Sequence, residues 1–456
     1  MWILYEILLA IGLVLYVPRA LWRRRLPHPG WGMRLGVYPA DVRAKLSRSG
    51  ATPPPVCSAE RRSIGPADRQ TGGGAIWIHA VSVGEVLAIR PLIQELTAQQ
   101  PDTPLVLSTV TPTGFQVASK LMGGRGTVIY EPLDFRFAVN RALDLIQPRI
   151  LLLVESEFWP NLICTIARRG VPIAVVNGRV SSRAFRRHML AQPLLAGLFR
   201  TITLFLMQTQ MDADRIIKMG ARPSQVKVLG SLKWDASLMS RPKPAEIQAL
   251  ASRLGLARED ALIVAGSTHR GEEAAVLEAF QSVRTPGQRV RLVVAPRHME
   301  RMGEVEALAR ERGMQVQRVS SFTASAPWDV LVVDTMGQLP LYYGLATVAF
   351  VGGSLVRHGG QNPLEPASLG KPILFGPSME NFSEIVQQLL VHQAAHQLQS
   401  PQELPDRLAE LLTNPTEAQI SGAQAQALVE RLSGVSRRTL DALAPFLRGA
   451  ATPSRP

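Results

Sequence analysis

The chain has 456 residues, of which 46% are hydrophobic and 19% are charged, and its formal net charge at pH 7 is +14. A single hydrophobic core stops growing near roughly 250 to 300 residues, so this length predicts two domains, and the ordinary composition excludes disordered and collagen-like chains. Two cysteines are too few for a disulfide framework or a cysteine-based zinc site, which is typical of a protein of a reducing compartment.

The first predicted element is the apolar segment 2–17, which is interrupted only by Glu6 and followed by Arg19 and three arginines at 23–25. Charge behind an apolar segment predicts a membrane anchor over residues 1–25, with the remaining chain on the cytoplasmic face of the inner membrane. Because the segment falls short of the roughly 20 residues that span a bilayer, a helix lying in the interface is the main alternative. A signal peptide would instead carry its charge before the apolar run.

The segment behind the predicted anchor is strongly basic. Residues 18–50 contain eight basic side chains and one acidic side chain, which is half of the net charge of the chain. Anionic headgroups attract such a cluster by about 1 kcal/mol per cation, so an anionic membrane surface is the expected partner, with a solvated basic face as the alternative. The sequence shows no nucleic-acid-binding motif. Residues 26–74 are interpreted as a basic juxtamembrane segment that ends in a flexible linker rich in Pro and Gly.

From residue 75 onwards, short β-branched runs alternate with helical patterns, which predicts an α/β protein with doubly wound parallel sheets. A polar, proline-interrupted stretch at 240–244 divides a first Rossmann-like domain, 75–239, from a second, 240–456, which closes with helices. Ligands of such domains bind at the carboxyl ends of the strands, so the two domains are expected to form a cleft. The predicted strands cover residues 76–81, 105–110, 150–154, 173–176, 203–207, 226–229, 262–265, 292–295, 330–333, 348–351 and 373–375.

Acidic side chains follow two predicted strands of the first domain. Glu85 stands at the turn between the first strand and a helix, and Glu155 and Glu157 follow the strand 150–154. A carboxylate at such a turn accepts a proton from a bound hydroxyl, although an acid in the first turn of a helix also stabilises the helix dipole. Two acids are costly to bury at the end of a hydrophobic strand without partners, which favours a functional role for Glu155 and Glu157.

Polar, cationic and small residues follow four strands of the second domain. They lie in the segments 266–273, 297–298, 334–338 and 352–365, and no dinucleotide or P-loop glycine fingerprint accompanies them. Backbone N–H groups at the start of a helix bind anions, and glycines let the backbone approach a phosphate. Four such segments at one sheet edge predict a nucleotide site. His79, His269, His298 and His358 share no metal-ligand spacing, so no metal is expected and ordinary loop or core histidines are favoured.

Taken together, these segments resemble bacterial 3-deoxy-D-manno-octulosonic acid (Kdo) transferases, which build the inner core of lipopolysaccharide. The resemblance covers residues 76–382 and is looser at both ends. It rests on the segments 79–85, 109–114, 155–162 (ESEFWPNL), 230–235 (GSLKWD), 267–273, 296–298, 334–337 and 350–365.

The resemblance implies a GT-B architecture, CMP-Kdo as donor, a lipid A precursor as acceptor, inversion at the anomeric carbon, and neither metal nor cofactor. By motif position, Glu85 is implied as the general base, and Glu155 and Lys233 as stabilisers of the transition state. Ser267, Thr268, Gly353 and Ser354 are additional candidates for donor contacts. The resemblance implies that the CMP moiety is bound by Pro296, Arg297, Met336, Gly337, Gln338, Asn362, Pro363, Leu364 and Glu365.

Two other functions fit the same fold. One is another GT-B nucleotide-sugar enzyme, either an epimerase or a glycosyltransferase acting on a lipid carrier. The other is a nucleotide-binding membrane adaptor without activity, although the presence of Glu85, Arg297 and Glu365 together disfavours it.

Overall fold

The computed structural model describes residues 5–7, 9–12, 14–15, 28–48, 74–190, 192–284 and 289–447. The chain divides into two compact units. Unit 1 comprises Met1–Ala236 and Gly434–Pro456, and unit 2 comprises Ser237–Ser433. Unit 2 is therefore inserted into the sequence of unit 1.

Unit 1 contains a seven-stranded parallel sheet in the order β3-β2-β1-β4-β5-β6-β7. Its central strands are buried except for the partly exposed Arg149 of β4, as expected for a parallel sheet covered on both faces by helices. The strands are β1 (Ala75–His79), β2 (Leu105–Thr109), β3 (Thr127–Tyr130), β4 (Pro148–Val154), β5 (Ile173–Gly178), β6 (Leu204–Met207) and β7 (Val226–Val228).

Two hydrophobic clusters cover the two faces of this sheet. Trp77, Leu151 and Phe205 belong to one cluster, and Ile76 and Leu152 belong to the other. The helices are α1 (Trp31–Arg34), α2 (Ala40–Arg48), α3 (Val83–Ala88), α4 (Arg90–Gln99), α5 (Pro112–Met122), α6 (Arg136–Ile146), α7 (Pro160–Arg168), α8 (Ser182–Leu190), α9 (Gln192–Thr201), α10 (Gln210–Met219) and α11 (Lys233–Met239), with a 3-10 turn at Pro223–Gln225.

Unit 2 contains a second seven-stranded parallel sheet, in the order β10-β11-β9-β8-β12-β13-β14. Ile263, Leu292 and Phe350 lie in the core on one face, and Val264 and Tyr343 lie on the other. The strands are β8 (Ala261–Thr268), β9 (Val290–Pro296), β10 (Val316–Arg318), β11 (Val330–Val332), β12 (Val348–Val351), β13 (Ile373–Phe375) and β14 (His396–Gln397).

The helices of the second half of the chain flank this sheet, except for the last one, which returns to unit 1. They are α12 (Pro244–Arg253), α13 (Glu272–Ser282), α14 (Met302–Glu311), α15 (Leu339–Leu345), α16 (Leu364–Ser368), α17 (Ser383–Val391), α18 (Leu404–Thr413), α19 (Pro415–Leu432) and α20 (Val435–Leu447), with 3-10 turns at Met299–Arg301, Glu380–Phe382 and Pro401–Glu403.

The predicted α/β class with two parallel sheets is confirmed, and the predicted strands coincide with strands of the structure. Three strands were not predicted, namely β3, β10 and β14. They are four, three and two residues long and lie at or beside the edges of their sheets, so they carry too little hydrophobic pattern to stand out.

Part of the predicted juxtamembrane segment, 26–74, belongs to unit 1. Tyr38, Val42 and Leu46 are buried in the same hydrophobic cluster as Trp77, and the N–H of Leu133 donates to the carbonyl of residue 34 at 2.7 Å. Residues 28–48 are thus part of the folded body, because Tyr38 and the helix α2 bury apolar side chains against it. The predicted linker residues 51–73 lie outside the described residues.

The C-terminal helix differs from the prediction that residues 240–456 form one domain. The helix α20 belongs to unit 1, where Val435, Leu440 and Leu443 are buried in the cluster that contains Ile76. The physical reason is the apolar face of this helix, which covers one face of the first sheet.

Most of the predicted anchor lies outside the described residues. Its described residues, 5–7, 9–12 and 14–15, are helical. The Tyr5 hydroxyl donates to Asp134 Oδ2 at 2.9 Å, and Glu6 Oε1 accepts from the N–H of Arg136 at 3.0 Å. Within the described part of the chain, no helix combines the length and the hydrophobicity that a bilayer span requires.

Candidate active site

The topology of unit 1 brings three predicted acids to one edge of the sheet. Strands β1 and β4 are neighbours, whereas β2 and β3 continue on the far side of β1 and β5 continues beyond β4. In a doubly wound sheet, the crevice at such a switch in strand order is where ligands bind. Glu85 follows β1, and Glu155 and Glu157 follow β4. All three carboxylates therefore lie at the switch point of unit 1.

Glu85 is held in place by the start of its own helix. Its Oε2 accepts from the Val81 N–H at 2.8 Å and its Oε1 accepts from the Ser82 hydroxyl at 2.9 Å, while the Glu85 N–H donates to Ser82 Oγ at 3.4 Å. Ser82 thus caps the helix, and the Glu85 carboxylate reaches back to Ser82 and Val81. The sequence suggested two roles for Glu85, one at the start of the helix and one in catalysis. The structure confirms the first of them.

The environment of Glu85 also makes it a base near neutral pH. Burial raises the pKa of Glu85 to about 7, against hydrogen bonds from Val81 and Ser82 that lower it, and the carboxylates of Glu155 and Glu157 raise it further. A proton acceptor works best when its pKa is close to the pH of the reaction. The start of this helix thus presents a carboxylate whose pKa lies close to physiological pH.

Glu155 and Lys233 meet although they come from distant strands. Lys233 Nζ lies 4.0 Å from Glu155 Oε1, and both side chains are about one-fifth exposed. Glu155 also has a φ of +59°, a left-handed conformation that a non-glycine residue adopts only where its surroundings hold it. The strand β4 therefore ends abruptly at Glu155.

A residue that the sequence analysis missed connects the two. The buried Asn177, at the end of β5, donates from Nδ2 to Glu155 Oε1 at 3.5 Å and accepts at Oδ1 from the Leu232 N–H at 2.9 Å. Its φ is +53°. The only available signal was an asparagine that ends an apolar strand and precedes Gly178.

Asp235, two residues after Lys233, binds the start of the helix α20. Its carboxylate accepts from the N–H groups of Gly434 at 2.7 Å, Val435 at 3.2 Å and Ser436 at 2.6 Å. These are the orphan donors at the start of α20. One short helix thus presents Lys233 to Glu155 and caps the C-terminal helix.

Beneath the acids lies a buried ion pair. His79 Nδ1 is 2.9 Å from Glu131 Oε2 and 2.9 Å from Ser108 Oγ, and the two charged side chains are 0% and 3% exposed. Burial disfavours the charged ring, but the Glu131 carboxylate outweighs it and the pKa of His79 is raised. Glu157 and Glu85 also raise the pKa of His79, so this ring lies within electrostatic reach of both predicted acids. The role of Glu131, which follows the unpredicted strand β3, was not foreseen.

In unit 2, the corresponding switch in strand order lies between β8 and β12, with β9 on the other side of β8. The predicted nucleotide-binding segments follow these strands and β11, so the structure brings them to one sheet edge. Pro296 ends β9, and the exposed Arg297 donates its backbone N–H to the carbonyl of Thr268 at 2.9 Å. Arg297 therefore stands beside the end of β8.

The second predicted segment begins α15. Met336 is 83% exposed, and Gly337 has a φ of +80° with open space where a Cβ would lie. Gln338 Oε1 accepts from the Thr335 hydroxyl at 2.9 Å. A ligand can therefore reach this turn at Met336 and Gly337, while the Gln338 side chain is held by its hydrogen bond to Thr335.

The third segment begins the short helix α16. Asn362 Oδ1 accepts from the N–H of Leu364 at 3.1 Å, Asn362 Nδ2 donates to Glu365 Oε1 at 3.4 Å, and Pro363 and Leu364 are buried. Burial raises the pKa of Glu365 to about 7, which Asn362 and Arg297 oppose. Leu364 and Pro363 thus support the turn, while Asn362 and Glu365 carry its polar atoms.

The buried carboxylate of Glu272 changes the interpretation of the additional candidates for donor contacts. Glu272, fully buried, accepts from the N–H groups of Gly353 at 2.6 Å, Ser354 at 2.9 Å and Leu355 at 2.8 Å, and from that of His269 at 2.8 Å. The backbone anion site predicted at Gly353 and Ser354 is therefore filled by the protein's own side chain.

The remaining candidates are also enclosed. The Ser354 side chain is 0% exposed, and its hydroxyl donates to the carbonyl of Val351 at 2.6 Å. Thr268 is 0% exposed as well. Ser267, with a φ of +55°, is the penultimate residue of β8 and is partly exposed, so it is the one of the four whose side chain reaches the surface.

Three of the four histidines gather at this edge. The rings of His269 and His358 stack with centroids 4.3 Å apart, and the His298 ring meets His269 edge-on at 5.5 Å. The prediction of ordinary loop or core histidines did not foresee this cluster. Among the described residues, no group of side chains has the arrangement of a metal site.

Comparison with known proteins identifies the relatives of the chain. Residues 30–236 match the family model described as 3-deoxy-D-manno-octulosonic-acid transferase (kdotransferase). The chain is 32% identical over 376 residues to the 3-deoxy-D-manno-octulosonic acid transferase of Haemophilus influenzae, covering 82% of this chain and 87% of that protein. It is 35% identical over 386 residues to the enzyme of the same name from Bordetella pertussis, with the same coverage.

Solved structures share the arrangement of two sheets at low identity. A putative UDP-N-acetylglucosamine 2-epimerase from Listeria monocytogenes superposes with a TM-score of 0.57 at 12% identity, over 83% of this chain and 97% of that one. At this identity the similarity establishes the fold alone.

Proposed function

Since the chain belongs to the family of 3-deoxy-D-manno-octulosonic acid (Kdo) transferases and is therefore a glycosyltransferase, we propose that it transfers Kdo from CMP-Kdo to a lipid A precursor. The reaction inverts the anomeric carbon, needs no catalytic metal and serves synthesis of the lipopolysaccharide core. The observation that carries the proposal is Glu85, a carboxylate with a pKa of about 7 at the switch point of a doubly wound sheet.

In this proposal, unit 1 supplies the base. The acceptor hydroxyl gives its proton to Glu85 while its oxygen forms a bond to the anomeric carbon of Kdo. The bond from that carbon to the phosphate oxygen breaks, and CMP leaves with the electron pair. The N–H of Val81 and the hydroxyl of Ser82 keep the carboxylate in one orientation throughout.

Lys233 and Glu155 form the charged part of the site. As the bond to phosphate breaks, positive charge develops on the sugar and negative charge on the leaving group. A carboxylate stabilises the first and an ammonium the second. The 4.0 Å pair, fixed through Asn177, holds both charges ready before the donor arrives. Preorganised charge of this kind needs no rearrangement during the reaction.

Unit 2 is assigned the donor. Arg297 is exposed at the end of β9, beside the open turn at Met336 and Gly337 and the polar turn at Asn362 and Glu365. A guanidinium meets a phosphate with paired hydrogen bonds, each charge-assisted bond contributing about 1.5 to 3 kcal/mol. With the leaving group held by side chains, no metal is required.

The inner membrane is the proposed location, with the body on the cytoplasmic face. The described part of the N-terminal helix exposes Ile7, Ile11, Val14 and Leu15 by 50%, 50%, 69% and 71%. These positions follow the i, i+4, i+7, i+8 spacing of one helix face. Together with the basic residues of segment 18–50, this face supports attachment to an anionic bilayer.

The proposal is tested by incubating the purified full-length chain with CMP-Kdo and a tetraacylated lipid A precursor and measuring the product mass. We expect the acceptor to gain the mass of at least one Kdo residue, and the Glu85→Gln variant to give little product. The same incubation with UDP-N-acetylglucosamine is the control for the other enzyme class. Transfer from the UDP-sugar with none from CMP-Kdo would overturn the assignment.

A further inference from the structure

Three imidazole rings meet at the donor edge of unit 2, and each comes from a different loop. His269 follows β8, His298 follows β9 and His358 follows β12, and these three strands are adjacent in the sheet. The stack of His269 on His358 thus spans the switch point between β8 and β12. His298 closes the group from the other side at 5.5 Å.

The loops hold these rings firmly. His269 donates its backbone N–H to Glu272 at 2.8 Å, and its Nε2 lies 3.2 Å from Gln361 Nε2, so the amide donates to a neutral ring. The carbonyl of His358 accepts from Asn381 Nδ2 at 3.1 Å. A Cβ on Gly353 would stand 3.2 Å from the His269 ring, which leaves little room for another side chain there.

The electrostatic surroundings favour an anion. Arg297 precedes His298. Burial lowers the pKa of His269 to about 4, and the other two rings and Arg297 lower it further. The acids nearby have partners. Glu272 is bound by four backbone N–H groups, and Glu273 pairs with Arg301 at 2.7 Å.

Two further acids lie near the rings. Glu304 pairs with Arg270 at 2.9 Å and with Arg301 at 3.3 Å. Glu300, at 3.8 Å from His298 Nδ1, is 78% exposed, so solvent screens its charge.

We propose that His298 and His358, backed by His269, bind the carboxylate of the donor sugar, while the neighbouring Arg297 binds the phosphate. The inference rests on the proposed function. His298 is 53% exposed in its side chain and His358 is exposed, so both rings are free to donate to a ligand, whereas His269 is 7% exposed and serves as support. Two N–H donors match the two oxygens of a carboxylate.

This arrangement would make the histidine cluster (His269, His298 and His358) a determinant of donor specificity. A sugar acid bound to a nucleoside monophosphate carries two anionic groups, whereas a neutral sugar on the same nucleotide carries none on the sugar. A site built to bind a polar group rejects analogues that lack it, because its own donors are then left unpaired.

The test compares the KM for CMP-Kdo with the inhibition constant of CMP, which has the phosphate and lacks the sugar. The variants are His298→Ala, His358→Ala and the more conservative His358→Asn. His392→Gln is the matched control, since this histidine contacts Arg431 and Gln388 and lies before the amino end of β14.

We expect each alanine variant to raise the KM for CMP-Kdo by about 10-fold or more, as for the loss of one charge-assisted hydrogen bond, with the CMP inhibition constant within about twofold of wild type. His358→Asn, which keeps a donor, should recover part of the loss. Arg297→Ala should weaken both ligands. His392→Gln should change neither.

Two results would overturn the inference. Parallel rises in both constants would place the cluster on the nucleotide, and no change in either would make it a structural feature. A wild-type chain that neither turns over CMP-Kdo nor is inhibited by CMP would instead refute the proposed function, and the inference with it.

Discussion

Lys233 Nζ lies 4.0 Å from Glu155 Oε1, although Glu155 follows β4 and Lys233 follows β7, with two strands between them. The loop after β7 must therefore return across the sheet edge. Asn177 holds that return, because its side chain contacts both Glu155 and the backbone of residue 232. The geometry of the charged pair depends on an uncharged residue of a third strand.

Asn177→Ala should lower kcat roughly 10-fold or more, because the loop that carries Lys233 loses its fixed position. Gln208→Ala is the control, since Gln208 Nε2 donates at 2.8 Å to the Asn177 carbonyl and leaves its side chain alone. Turnover rates and thermal unfolding of both variants are measured. Equal kcat losses in the two would show that the Asn177 side chain has no special part.

Glu85→Gln should lower transfer by roughly 10²-fold or more, as expected for loss of a general base, while CMP binding is retained. Initial rates with CMP-Kdo and calorimetric titration with CMP measure the two effects. Near-normal turnover in the Gln variant would remove Glu85 from the role of base.

The same variant should be more stable than wild type at pH 8. The folded pKa of Glu85, about 7, is above its usual value of 4.5, so the folded state holds its proton more tightly than the unfolded state. Stability from this group is therefore present below the unfolded pKa and is lost as the pH rises through about 7. We expect Glu85→Gln to gain about 1 to 2 kcal/mol at pH 8 and little at pH 4. Denaturant unfolding at both pH values measures this difference, and a gain that is equal at both would contradict it.

Ser82→Ala should move the acidic limb of the pH–rate profile to higher pH. The Ser82 hydroxyl lowers the pKa of Glu85, so its removal leaves the carboxylate protonated at a higher pH. Thr209→Ala is a matched control, because Thr209 caps α10 in the same way through Asp212. Both variants should lose about 1 kcal/mol of stability, but only Ser82→Ala should shift the profile. A shift of equal size in the control would attribute it to the lost cap.

Asp235→Asn should loosen α20 and lower the free energy of unfolding by about 1 to 2 kcal/mol, because a charged acceptor for three N–H groups is lost. Asp441→Asn, an exposed change on the same helix, tests for the effect of charge alone. Hydrogen exchange of residues 435–447 measures the opening of the helix. Unchanged protection in Asp235→Asn would mean that apolar packing alone holds α20.

Deleting residues 1–25 should release the chain from anionic vesicles and leave a folded body, whereas deleting residues 1–48 should destabilise it strongly. The second deletion uncovers the core around Tyr38, Val42 and Leu46, and loss of one buried large side chain alone costs about 2 to 5 kcal/mol. Vesicle sedimentation and thermal unfolding distinguish the two. Continued sedimentation of the shorter deletion at high salt would point to another hydrophobic surface.

The positions of Glu85, Glu155 and Arg297 were predictable from sequence, because Glu155 and Arg297 directly follow apolar β-branched runs and Glu85 lies in the first turn of the helix behind one. Parallel strands align their carboxyl ends, so local pattern alone brings such residues to one edge. Asn177 and Glu272 were not predictable, because their roles depend on hydrogen bonds to residues 55 and more than 80 positions away. A local sequence pattern carries no information about partners that are so distant in the chain.

The same difference between local pattern and tertiary contact explains why the prediction placed residues 28–48 and α20 differently from the structure. Residues 28–48 have little apolar periodicity, and α2 is recognised as part of the core only through its packing against α6 and β3. Likewise, α20 has a helical pattern that predicts its existence but not the sheet it covers. Secondary structure is local, whereas the choice between two similar sheets is made by tertiary contacts.

The return of α20 to unit 1 also fixes the order in which the molecule matures on the ribosome. Unit 2 ends at Ser433, so all of its sequence is translated before α20. The first sheet, although translated first, lacks the helix that buries Leu440 and Leu443 until the whole of unit 2 has been translated. The nascent chain therefore keeps an apolar face of its first unit uncovered while unit 2 is synthesised, and a stop codon shortly before residue 434 would leave that face exposed permanently.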